Sequence, residues 1–108
     1  DGRLLVDLYW RAVATPERDM TVFVHWIGPT GALVAQDDGP PADGAYPTSW
    51  WQAGDVIRDP RMIDSPAGPM TGALRVGMYE PSTGGRLPAG DANGRRLPDD
   101  VVLLSLPE

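Results

Sequence analysis

Residues 3–13 read RLLVDLYWRAV: Leu4, Val6, Leu8, Trp10 and Ala12 share one parity, while Leu5, Asp7, Tyr9 and Arg11 share the other. A period of two carried by aromatic and branched side chains describes a half-buried β-strand. Leu4, Leu8 and Ala12 also recur at a helical spacing, but no capping residue opens the run, so the strand reading prevails. Residues 20–27 (MTVFVHWI) are apolar on both parities, Val22, Val24 and Trp26 against Phe23 and Ile27, which predicts a central or covered strand. Gly28-Pro29-Thr30-Gly31 then turns the chain into residues 32–36, giving a hairpin.

Beyond the hairpin, residues 39–54 (GPPADGAYPTSWWQAG) form a sixteen-residue connection rich in turn formers, expected to cross between sheets or to carry function. Residues 55–63 (DVIRDPRMI) read as a weaker strand that Pro60 confines to an edge or a bulge. A turn over 64–69 leads to an alternating strand at 71–79 (TGALRVGMY), a turn at 81–85 and a short Arg86-Leu87 segment. A polar loop over 91–96 and a last strand at 101–106 (VVLLSL) complete the chain. These short strands predict an all-β fold, an antiparallel two-sheet β-sandwich of immunoglobulin or jelly-roll type with about seven strands in a single domain spanning 1–108.

Composition narrows the function classes. The 108 residues include 13 Gly and 12 Pro, and the net charge is −6. All nine basic residues are Arg. Such a chain lacks the basic stripe that nucleic acids or anionic lipid head groups require. Without cysteine it has no disulfide, thiolate nucleophile or Cys-based zinc site. No run approaches the ~18 apolar residues of a membrane span, and no signal peptide is visible. The opening Asp1-Gly2-Arg3 and the ending Leu106-Pro107-Glu108 are read as the ends of a piece of a longer polypeptide.

Two stretches carry a resemblance covering nearly the whole chain. One is Tyr46-Pro47-Thr48-Ser49, Trp51, Gly54-Asp55 and Asp59; the other is Arg75-Val76-Gly77-Met78-Tyr79, Thr83-Gly84 and Arg86-Leu87-Pro88. Together they resemble a β-sandwich domain that follows the transmembrane part of bacterial multi-spanning membrane proteins similar to lipid-linked-sugar glycosyltransferases of the protein O-mannosyltransferase type. The resemblance implies an extracytoplasmic accessory domain on a bacterial membrane, partnered by the transmembrane part of its own polypeptide. The family's transferase chemistry would lie in that membrane portion, so no catalytic residue carries over. Ala73 departs from the pattern, standing where such domains tend to carry an aromatic residue.

Aromatic and carboxylate side chains in the long loop are the candidate ligand contacts. Tyr46, Trp50 and Trp51 could stack on the apolar face of a sugar, with Asp43 and Asp55 accepting hydroxyl hydrogen bonds. If the loop is extended, the adjacent tryptophans point opposite ways, so Trp51 plugs the sandwich with its indole N–H on a carbonyl while Trp50 meets a ligand or partner. His25 is the only histidine, which excludes a multi-histidine metal site, and it reads as a half-buried strand residue. Ser49, Ser65, Ser82 and Ser105 lack a nucleophile-elbow context, so hydrolase chemistry is disfavoured. Asp91-x-Asn93-Gly94 with Asp99-Asp100 faintly resembles a calcium loop, but Arg95 and the missing bidentate Glu favour a surface turn. Arg58, Arg61 and Arg75 are expected to make ordinary surface pairs with Asp7, Asp55, Asp59 or Asp64. The expected function is therefore a non-catalytic accessory or scaffold domain without cofactor or metal, its excess apolar strand surface forming an exposed patch or a homodimer contact. Carbohydrate binding through loop 46–51 is the alternative.

Overall fold

A computed structural model describes residues 3–64 and 71–106. It contains six strands: β1 (Arg3–Arg11), β2 (Thr21–Ile27), β3 (Leu33–Gly39), β4 (Val56–Asp64), β5 (Ala73–Tyr79) and β6 (Val102–Ser105). All pairings are antiparallel, in a two-stranded sheet β1-β4 and a four-stranded sheet β3-β2-β5-β6. The domain is all-β, two sheets packed on one another. Among the described residues there are six strands, and the Arg86-Leu87 segment makes one isolated bridge, Tyr79 to Arg86, instead of a ladder. Residues 65–69 of the expected turn, Ser65 among them, lie outside the described residues.

The core follows from parity. Val22, Val24 and Trp26 of β2 and Leu74, Val76 and Met78 of β5 face inward and are buried, opposite Ile57 and Ile63 of β4. Leu4, Val6, Leu8 and Trp10 pack against them from β1. Trp26 is the largest of the fully buried side chains and donates its indole N–H to the Thr71 carbonyl at 2.9 Å. The doubly apolar strand at 20–27 is central, between β3 and β5, as its pattern required. Its second apolar face is covered too: Phe23 is buried on the outer side, its ring lying on Gly77. A Cβ at position 77 would come within 2.7 Å of that ring, so only glycine leaves Phe23 its seat. Arg86 lies 5.2 Å above the Phe23 centroid and His25 lies 5.0 Å away.

Pro60 is accommodated by register. It faces Asp7 across the β1-β4 ladder, while Ala12 N–H bonds the Asp55 carbonyl at 2.9 Å. The alternation of an antiparallel ladder then turns the nitrogen of Pro60 to the open edge, where no ladder bond is lost.

The long connection crosses from the four-stranded to the two-stranded sheet and is not structureless. It holds 3₁₀ turns at Pro41–Gly44 and Thr48–Trp50. What fastens it is a buried ion pair. Asp59 is fully buried and accepts from Trp10 Nε1 (2.9 Å), Ala42 N (2.9 Å) and Arg61 Nε (3.0 Å). Arg61 also donates to the Gly39 and Pro40 carbonyls at 3.0 Å and lies 3.5 Å from Asp37 of β3. This corrects the expectation of surface pairing for Arg61: its charge sits between the layers. Arg58 does make the expected surface pair, 3.0 Å from Asp7.

Candidate functional site

Loop 46–55 is built around Thr48, whose fully buried hydroxyl donates to the Arg18 carbonyl (2.8 Å) and accepts from Met20 N (2.9 Å). That link ties the crossover to the turn preceding β2. Asp19 receives Ser49 N–H at 3.1 Å, and hydrogen bonds from Ser49 hold its carboxyl below the usual range. With the backbone held in a 3₁₀ turn through Trp50 and extended at Trp51, the two indoles part. Trp51 is 3% exposed and gives its indole N–H to the Tyr46 carbonyl at 2.9 Å, while the Thr15 hydroxyl donates to the Trp51 carbonyl at 2.5 Å. Trp50 is 63% exposed, its ring edge-on to Tyr46 with centroids 6.5 Å apart.

The carboxylates beside these rings have distinct surroundings. Asp55 accepts the Tyr46 hydroxyl at 2.6 Å and Gln52 N–H at 2.9 Å through the same oxygen. The Tyr46 hydrogen bond, reinforced by the Gln52 amide, pulls the Asp55 carboxyl below its ordinary value and pushes the Tyr46 phenol up. Asp55 is therefore a brace of the loop, and Trp51 is a plug with no ring surface for a ligand. Asp43 is exposed on the first 3₁₀ turn in a left-handed conformation (φ 55°), on a different part of the crossover. Of the five residues singled out, the structure unites Tyr46, Trp50 and Asp55 in one cluster and presents Trp50 as its free apolar surface.

The residue patterns missed a cleft elsewhere on the molecule. On the outer face of the four-stranded sheet, Phe23, His25, Gln36, Asp38, Tyr79, Gly84 and Arg86 line an open cleft of about 320 Å³. His25 Nε2 lies 3.5 Å from Asp38 Oδ1. Gln36 and Asp38 lie opposite His25 and Phe23 across the β2-β3 ladder. That pairing is the signal a register assignment would have supplied, since strand alternation already put His25 and Phe23 on one face. No serine lines this cleft among the described residues.

The acidic C-terminal loop resolves into turns. Asp91 Oδ1 accepts Asn93 N (2.9 Å) and Arg95 N (3.0 Å), closing a local turn. Asp100 is chelated by Arg96 through two 2.7 Å bonds, which hold its carboxyl at about 2 against an ordinary 3.8. A carboxyl depressed on folding contributes stability that is complete above its unfolded value and is lost as pH falls through the folded one. Asp100→Asn is thus expected to lower the urea midpoint near neutral pH, with the difference from the parent chain vanishing as the pH approaches about 2. A difference that persists unchanged at that acidity contradicts the Arg96 assignment.

Set against models of known families, curated proteins and solved structures, the chain matches none.

Proposed function

We propose that the chain is a non-catalytic accessory module on the extracytoplasmic side of a larger bacterial membrane protein of glycosyltransferase type, docking onto its parent through the outer face of β1 and β4. The observation that carries this reading is the apolar content of that face. Leu5 is 72% exposed opposite Met62, Val56 is 64% exposed, and Tyr9 and Pro60 lie between them. Two ion pairs share that face, Arg58 with Asp7 within the patch and Arg3 with Asp64 at its end, and Arg11 lies beside Val56. Clustered apolar side chains on one sheet face mark a contact surface better than scattered ones do. A second support comes from the residues that carry the family resemblance. Thr48, Trp51, Asp55 and Asp59 each hold the crossover in place, and Gly77 and Arg86 seat Phe23. A pattern spent on building the fold fits a module whose task is architectural.

The test is Leu5→Lys combined with Met62→Glu, made in the membrane protein carrying the domain. The expected outcome is a several-fold loss of correctly assembled parent, with the thermal midpoint of the separate 108-residue chain unchanged, since both side chains are solvent-facing. Undiminished assembly rejects the docking face.

The exposure of Trp50 favours a second reading, carbohydrate binding, in which its ring stacks on a sugar face with Tyr46 beside it. Calorimetric titration with manno- and gluco-oligosaccharides decides it. Binding that Trp50→Ala abolishes supports the platform; an absence of heat with the intact chain removes it.

A further inference from the structure

Four strands lie at sheet edges: β1, β4, β3 and β6. Exposed edges invite pairing with another chain, and folded proteins block them with proline and charge. β4 turns the nitrogen of Pro60 outward, β1 carries Arg3, Asp7 and Arg11, and β3 carries Asp37 and Asp38. β6 is short, at four residues, but it carries neither of these devices. Val102–Ser105 reads VLLS, residues 101–106 hold no charge, proline or glycine, and Leu103 is 66% exposed.

The phase of the β5-β6 ladder states which groups are free. Leu106 N–H bonds the Gly72 carbonyl at 3.0 Å, and Leu74 faces Leu104 while Val76 faces Val102. Alternation therefore points the N–H and C=O of Leu103 and Ser105 away from β5, toward the open edge, and among the described residues no strand pairs there. We infer that this edge is a self-association site that receives β6 of a second copy of the chain, antiparallel, extending the four-stranded sheet across a two-fold axis.

Two features select a second copy as the occupant. The first is register. A two-fold axis relating neighbouring antiparallel strands stands perpendicular to the sheet, so each residue meets one from the same face. With Leu103 opposite Leu103, Val102 meets Leu104 on the core side and Val101 meets Ser105, and the free backbone groups of Leu103 fall in a hydrogen-bonded pair. The second is charge. Two chains of net charge −6 repel, and the uncharged run at 101–106 is an edge where they can meet without opposing carboxylates. The proposal is independent of the β1-β4 docking face, which lies on the other sheet.

Sedimentation equilibrium and amide exchange on the 108-residue chain test it. A single short strand pair falls below the standard interface size, so the expected dissociation constant is about 10–1000 µM. The mass should rise toward that of a dimer over this range, with exchange protection growing at Leu103 and Ser105. Leu103→Lys should weaken association by at least about tenfold, while Leu5→Lys with Met62→Glu leaves it intact. If the Leu103 variant fails to fold, amide protection in the unmodified chain decides alone. A monomer throughout the range overturns the inference. So does a dimer whose Leu103 and Ser105 amides stay unprotected, or one lost only on changing Leu5 and Met62.

Discussion

Asp59→Ala is expected to destabilise the domain by about 3–5 kcal/mol, because it leaves the Arg61 guanidinium buried without its counter-charge. Arg61 is 7% exposed, and its guanidinium would retain only the Gly39 and Pro40 carbonyls and the more distant Asp37. Trp10 Nε1 and Ala42 N would lose their acceptor at the same stroke. Replacing both charges, as Asp59→Leu with Arg61→Met, should recover part of the loss, since an apolar pair of similar volume carries no desolvation cost. Recovery stays incomplete because the orphaned indole, amide and carbonyl groups remain, each unmade bond costing about 1–3 kcal/mol when buried. Denaturant titration of both variants checks the claim. A loss below about 1 kcal/mol for the single variant would mean that water reaches the pair, contrary to its burial.

The second large effect separates two neighbouring tryptophans. Trp51→Ala should cost about 3–5 kcal/mol, the usual range for emptying a buried indole site. The indole also caps the Tyr46 carbonyl, so loosening should spread through the Tyr46–Asp55 brace. Trp50→Ala should change stability by no more than about 0.5–1 kcal/mol, its main packing being the edge contact with Tyr46. Thermal unfolding of the pair gives the comparison directly. Equal losses would show that Trp50 is also part of the core and would end its candidacy as a platform. This contrast gives the sugar-binding test its meaning, because Trp50 can be removed without disturbing the loop that presents it.

Two readings failed for related reasons. Arg61 and Asp59 looked like surface ions because charged residues in an alternating strand are ordinarily on its solvent face. Here they share parity with Ile57 and Ile63, and that parity was visible in the sequence. What was not visible was a partner for a buried charge: Asp37 belongs to the other sheet, and the Gly39 and Pro40 carbonyls belong to the crossover. The cleft beside His25 escaped notice in the same way. Its lining comes from β2, β3, β5 and the following loop, joined by register rather than by proximity along the chain.

Alternation of side chains along residues 3–13, 20–27, 71–79 and 101–106 was enough, by itself, to dictate strands, their inward faces and the central place of β2. Hydrophobic burial acts on each strand separately, so a local pattern suffices to choose its face. Which carbonyl receives the Trp51 indole, where the Arg61 charge finds its counter-ions, and which edge is left open depended on the packed sheets. Those outcomes turn on distances between segments far apart in the chain, and only the folded arrangement sets them.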